Sequence, residues 1–145
     1  MMDPLLFGLE EESIVIEIGS LYTKCGYSGE VLPRAVVKNP EALTALTHQS
    51  PYTEYYQVLR DFLPLIYFHK VQARPKDAAT VLVEKLEAPR QLMQAAADIM
   101  FNELQVPLIF FVLEPSLPIY CTGGYTGLVV DVGYTGTRLF PVSFT

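Results

Sequence analysis

The pattern of apolar and polar positions near the N terminus predicts three short strands. A β-branched run interrupted by one acid occupies residues 13–18, and a second strand-like stretch covers residues 21–27. Gly19-Ser20 separates them as a tight turn, which makes the pair a β-hairpin. A third apolar stretch lies at residues 34–37. Three consecutive strands joined by short turns form a meander.

Helical spacing begins after a connection that is bounded by prolines. Residues 39–53 have Pro at both ends and no sustained period, which predicts a surface connection. Thr53 is a candidate N-cap for a helix that runs to about Tyr67 or His69. Pro64 is expected to kink this helix or end its regular part, because proline donates no backbone hydrogen bond. The apolar stripe predicts core packing and consists of Tyr55, Val58, Leu59, Phe62, Leu63 and Ile66.

The remaining chain alternates strand and helix patterns. Uninterrupted apolar runs predict buried strands at residues 79–83 and 128–131, the second of which ends in an acid. A helix at residues 89–104 begins with a proline, which suits a first turn. Between this helix and the strand at 128–131, the sequence predicts a strand at residues 107–113 and a short helix at 116–121. This order predicts an α/β domain with a five-stranded mixed sheet flanked by helices.

Composition supports a folded chain and restricts its partners. At 145 residues, with 50% hydrophobic residues and a mean hydropathy of +0.26, the chain can bury the core of one domain. We expect a flexible segment at residues 1–12 and a folded domain at 13–145. A net charge of −6 argues against nucleic acid or an anionic membrane as the partner, because both attract clustered Lys and Arg.

Targeting signals and metal-binding patterns are weak. The first residues have no cationic region, and no apolar stretch reaches ~18 residues, so we expect no signal peptide and a cytosolic or nuclear location. Cys25 and Cys121 lie far apart without neighbouring histidines, which predicts reduced core residues. His48 and His69 are isolated, and no role is assigned to them.

The first hairpin contains the parts of a phosphate- and metal-binding corner. Backbone N–H groups at Gly19-Ser20 can point at an anion, Lys24 can neutralise it, and the Glu17 carboxylate can bind a cation. The same residues also suit an ordinary hairpin in which Glu17 is a solvated edge residue. This stretch alone does not choose between the two.

The hairpin resembles the first phosphate-binding hairpin of the actin superfamily. In that family it runs acid, any residue, Gly-Ser, three residues, Lys, and then a Gly-rich turn before Pro-Arg-Ala. The chain carries, in this order, Glu17, Gly19, Ser20, Lys24, Gly26, Tyr27, Gly29, Glu30, Pro33, Arg34 and Ala35. The resemblance covers residues 13–145 and implies a ribonuclease-H-like fold, corresponding to subdomain 1 in the first half of an actin fold. We therefore expect the natural chain to continue.

The resemblance also implies a nucleotide site. ATP or ADP with Mg²⁺ would lie in a cleft between two halves of the complete protein, with the phosphates between two hairpins. The first hairpin contributes Gly19, Ser20 and Lys24, and the second contributes Asp131 and Gly133. Glu17 and Asp131 would hold the metal through water. We expect no nucleotide on the 145 residues alone, because the adenine side of the cleft would come from the other half.

Three positions depart from the family pattern. Glu17 replaces the usual Asp, Tyr134 stands where a second Asp is usual, and Glu114 takes the place of the Gln that orients the attacking water. A carboxylate beside a γ-phosphate adds like-charge repulsion. We therefore expect weak or absent hydrolysis and assign no catalytic residue.

The short connection at residues 39–53 suggests a role. In actin this region is a much larger second subdomain, whose mobile loop grips the next subunit at the pointed-end side. Together with residues 21–30, the helix from Tyr55 to Lys70 and the altered second hairpin, this makes the chain resemble most the actin-related proteins that cap the pointed end of dynactin's actin-like filament. This implies a cytoplasmic, cytoskeletal protein of dynein-based microtubule transport, with filament subunits and pointed-end subunits of dynactin as partners. Two alternatives remain: a nuclear actin-related subunit of a chromatin complex, and an active ATPase of the actin and sugar-kinase superfamily.

Overall fold

The described part of the chain opens with the expected meander. The structure is a computed structural model that describes residues 12–144, so the predicted flexible segment at residues 1–12 lies almost entirely outside the described residues. Each strand pairs antiparallel with the next, and Ile14 lies opposite Tyr27 in the first pair. The three strands are β1 (Ile14–Ile18), β2 (Tyr22–Tyr27) and β3 (Ala35–Lys38).

Two later strands complete a five-stranded mixed sheet. β4 (Thr80–Glu84) pairs parallel with β1, and β5 (Ile109–Leu113) pairs parallel with β4. The strand order is β3-β2-β1-β4-β5, so β1 lies at the centre and both of its edges are paired. The predicted α/β fold and its mixed sheet are confirmed.

The long helix begins one residue before its predicted cap. α2 (Tyr52–Pro64) starts directly after Pro51, which has an extended backbone, and no side chain caps its first N–H groups. Pro51 is the last residue before the helix, so Thr53 already lies in the first helical turn. The prediction that Thr53 is the N-cap is therefore wrong. The regular α-helix ends at Pro64, as expected, and continues as a π-helical segment (Leu65–Val71).

The core lies between the sheet and two helices. α3 (Arg90–Asn102) begins after Pro89 and packs against α2 on one face of the sheet. The helical spacing of the sequence predicts most of this arrangement, because the apolar positions fall on one side of each helix. Residues with no measurable exposure fill the centre and include Ile14, Ile16, Leu59, Leu63, Ile66, Tyr67, Leu82, Ile99 and Met100.

The connection between β3 and α2 is more buried than the predicted surface connection. It contains one helical turn, α1 (Glu41–Thr44), where the sequence predicted no regular structure. Leu43 and Asn39 are both buried. The connection therefore packs against the domain, because an apolar side chain and an amide each find partners beneath it.

A second hairpin follows the five-stranded sheet. β6 (Thr126–Gly133) and β7 (Gly136–Ser143) form a separate antiparallel pair, preceded by the short helix α4 (Ser116–Thr122). The prediction of a buried strand at residues 128–131 is wrong. Leu128, Val130 and Val132 are exposed, because within residues 12–144 the only strand beside β6 is β7.

Two further expectations concern cysteines and membranes. Cys25 is buried and unpaired, as predicted, but Cys121 is exposed near the end of α4, where the short helix turns it outward. Among the described residues, no helix is both long and apolar enough to cross a bilayer.

Candidate functional site

The first turn is tightly closed. The Gly19 N–H donates to the Tyr22 carbonyl oxygen over 2.9 Å, and a Cβ on Gly19 would lie only 2.6 Å from that oxygen. Alternation along β1 turns Ile18 into the core and Glu17 to the opposite face. The turn therefore needs glycine, and it leaves the acid on the side away from the helices.

Glu17 and Lys24 neutralise one another. They lie directly opposite in the β1–β2 pair, and Lys24 Nζ is 3.2 Å from Glu17 Oε1. The sequence assigned the acid to a metal and the lysine to a phosphate. In the structure each is the other's counter-ion, and both remain partly exposed.

The buried side chain of Asn39 supports the first turn through hydrogen bonds. The sequence pattern did not indicate this role. The side-chain oxygen of Asn39 accepts a hydrogen bond from the buried Thr23 hydroxyl over 2.7 Å, and its amide donates to the Gly19 carbonyl over 2.8 Å. Its backbone N–H donates to the Leu21 carbonyl over 2.9 Å. Asn39 precedes a proline, so the sequence suggested a turn. No local pattern links it to a residue so far back in the chain.

The second hairpin brings an arginine to the site, which the sequence also did not indicate. Arg138 lies opposite Asp131 in the β6–β7 pair, and its Nη1 is 3.5 Å from Asp131 Oδ2. Its Nε donates to the Glu87 carboxylate, and Nη2 donates to the Thr135 hydroxyl over 3.2 Å. The hydrogen bond to Glu87 raises the pKa of the Arg138 guanidinium further above its usual value, so the group stays charged.

The two hairpin turns meet. The hydroxyls of Ser20 and Thr135 are 3.3 Å apart and hydrogen-bonded, although 115 residues separate them in sequence. Gly133 faces Gly136 at the end of the second hairpin. The Ser20–Thr135 contact therefore places the two turns side by side.

A cavity of about 410 Å³ adjoins the two turns. Gly19, Ser20, Thr135 and Arg138 line it together with the connection that follows β3. Of the sequence-predicted site residues, Gly19 and Ser20 line the cavity. The others lie outside its lining: Glu17, Lys24, Glu114, Asp131 and Gly133. The structure thus brings only part of the predicted set to one cavity.

Glu114 and Tyr134 lie at the edges of the site. Glu114 follows β5 and forms an ion pair with Lys85 over 3.3 Å, and both side chains are about four-fifths buried. Tyr134, in the second turn, lines the cavity, although most of its side chain is exposed. Glu114 is therefore held by a cation of the chain.

The described residues fit Mg²⁺ poorly. Within residues 12–144 there is no group of three His, Cys, Asp or Glu side chains that could hold a metal ion. Asp131 Oδ2 is buried without a hydrogen bond, but the Arg138 guanidinium is its neighbour. The acids near the two turns face cations of the chain: Glu17 faces Lys24, Glu114 faces Lys85, and Glu87 and Asp131 share Arg138.

Comparisons with known proteins agree with this architecture. The family model described as Actin matches residues 52–143, which is more than half of the chain. A curated relative, Actin-related protein 10 of Dictyostelium discoideum, is 26% identical over 164 residues, covering 91% of this chain and 34% of the relative. The chain spans about a third of the length of this relative.

Proposed function

Because this chain belongs to the actin family, we propose that the complete protein is a non-motor structural subunit that caps the pointed end of dynactin's actin-like filament. The observation that carries this proposal is the short connection between β3 and α2. It consists of residues 39–51, with one helical turn, α1. In actin, the second subdomain occupies this place, and its loop receives the next subunit. The similarity to an actin-related protein supports the same class of role.

A short connection at this place would stop filament growth for a physical reason. A subunit that binds the filament through one side, but has no loop to receive a further subunit, ends growth at that side. Leu43 packs the short connection onto the domain, which leaves less chain free to extend toward a neighbour. The proposed partners are the actin-like filament subunits and the pointed-end subunits of dynactin, in the cytoplasm and in dynein-based transport.

We further propose that the complete protein hydrolyses ATP weakly or not at all. A nucleotide would place its phosphates at the Gly19-Ser20 turn and the facing second turn, as in the family. Glu114, at the position of the water-orienting Gln, forms an ion pair with Lys85, so its carboxylate is held by that cation and is not a free base for the attacking water. A cap that stays in place does not need turnover.

The experiment is purification of the tagged complete chain from cytosol, with the co-purifying proteins identified by mass. Conventional actin with the same tag is the control. We expect the complete chain to recover dynactin's filament and its pointed-end subunits. Added to end-labelled actin-like filaments, it should stop growth at the pointed end while growth at the other end continues.

Other outcomes would overturn the proposal. Recovery of a chromatin-remodelling set would indicate the nuclear alternative. A monomer that binds no filament and hydrolyses ATP would indicate an enzyme of the same superfamily. Unchanged growth at both filament ends would contradict capping even if dynactin subunits were recovered.

A further inference from the structure

Arg138 lies where acids from two parts of the chain converge. Asp131 faces it across the β6–β7 pair, and Glu87 reaches it from the segment before α3. Thr135, in the second turn, accepts a hydrogen bond from Nη2. A guanidinium carries five N–H donors in a planar fork, so one arginine can serve several oxygens at once.

The surroundings of Arg138 are built to hold it. The Arg138 side chain is 20% exposed, and Asp131 Oδ2 is buried without a hydrogen bond, 3.5 Å from Arg138 Nη1. A Cβ on Gly133 would lie 3.4 Å from Arg138 Nη1, at ordinary van der Waals distance, so Gly133 lies directly beside the guanidinium. The positive charge beside Asp131 therefore comes from the chain itself.

The charges around Asp131 do not favour a divalent metal ion. Mg²⁺ requires octahedral oxygen ligands, usually including one or two carboxylates. Glu17 is paired with Lys24, and Glu114 is paired with Lys85. A metal ion beside Asp131 would also meet the positive charge of Arg138 at close range.

We infer that the cation of the two-turn site is the Arg138 guanidinium, and that this side chain excludes a divalent metal ion. The second hairpin is then fixed to the rest of the domain by contacts with Glu87 and by the Ser20–Thr135 hydrogen bond. Binding of a nucleotide to these turns, where it occurs, does not depend on Mg²⁺. The inference is independent of the capping role.

The test titrates the metal-stripped complete chain with Mn²⁺ and follows free Mn²⁺ by electron paramagnetic resonance. The wild-type chain is expected to bind no Mn²⁺ at Asp131. Arg138→Gln frees two carboxylates and should raise the Mn²⁺ affinity at least about tenfold. Arg60→Gln is the matched control. Arg60 is also paired with a carboxylate, Glu103 at 3.1 Å, but on the surface of α2 and α3. Arg60→Gln should therefore leave Mn²⁺ binding unchanged.

Two results would overturn the inference. One is a wild-type chain that binds Mn²⁺ and loses it in Asp131→Asn, because the metal would then share the site with Arg138. The other is a folded Arg138→Gln variant with no gain in Mn²⁺ affinity. If Arg138→Gln does not fold, the comparison of wild type with Asp131→Asn still shows whether the wild-type chain binds Mn²⁺ at Asp131. Mn²⁺ binding that survives Asp131→Asn lies elsewhere and agrees with the inference.

Discussion

Removal of the Asn39 side chain should destabilise the first turn more than any surface change. Asn39→Ala deletes the acceptor of the Thr23 hydroxyl and the donor to the Gly19 carbonyl, at 2.7 and 2.8 Å. Thr23 has no measurable exposure and Asn39 is only 4% exposed, so water cannot replace the lost partner. The Thr23 hydroxyl is left buried and unpaired.

The magnitude follows from these two bonds. A hydrogen bond contributes about 1 kcal/mol net, and an abandoned buried partner costs about 1–3 kcal/mol. The expected loss in the free energy of unfolding is therefore about 2–4 kcal/mol. With a urea m value of about 1.5 kcal/mol/M, a loss of about 3 kcal/mol lowers the unfolding midpoint by about 2 M.

The assay is urea unfolding followed by circular dichroism. Asn102→Ala, at the exposed end of α3, is the control and should change the free energy of unfolding by less than about 0.5 kcal/mol. Thr23→Val combined with Asn39→Ala should cost less than the sum of the single changes, because both partners are then absent. A loss below about 0.5 kcal/mol for Asn39→Ala, or strict additivity in the double variant, would refute the reasoning.

Three other changes have defined outcomes. Gly19→Ala places a Cβ 2.6 Å from the Tyr22 carbonyl and should cost about 1–3 kcal/mol in urea unfolding; an unchanged midpoint would contradict the closed turn. Burial raises the pKa of Tyr67 from its usual value near 10 to about 12, so the neutral phenol stabilises the fold below pH 10 and this contribution is lost as the pH rises to 12. Tyr67→Phe should abolish that part of the alkaline loss while weakening the fold at pH 7, because the Thr80 hydroxyl 2.7 Å away loses its partner; an unchanged alkaline profile would contradict it. Val130→Lys on the exposed apolar face of the second hairpin should reduce self-association of the 145-residue chain in light scattering, and a wild-type monomer at high concentration would contradict this.

The sheet and the helices could be predicted because their signals are local. The apolar run in residues 13–18 and the Gly19-Ser20 turn predicted a β-hairpin, and the antiparallel pairing of β1 with β2 confirms it. Helical spacing in α2 and α3 predicted the core stripes in the same way. These features depend on neighbours within a few positions along the chain.

The site could be predicted only in part because its contacts are distant in sequence. The family resemblance indicated two turns, and the Ser20–Thr135 contact places them side by side. Nothing in the sequence pattern indicated that Asn39 would support Gly19, or that Arg138 would reach Glu87. Side-chain length and the packing of separate elements decide such contacts, and neither has a periodic signature.

The ion pairs at the two turns affect whether the second hairpin needs a bound ligand to stay attached to the domain. A nucleotide- or metal-dependent joint is stabilised only while its ligand is bound, by an amount that grows with ligand concentration. Here Glu87 pairs with Arg138 and Ser20 contacts Thr135, so side chains of the protein itself connect the second hairpin to the domain. That connection is expected to persist whether or not a ligand is present. A subunit that must remain at a filament end benefits from a joint of this kind, because its shape does not change with nucleotide turnover.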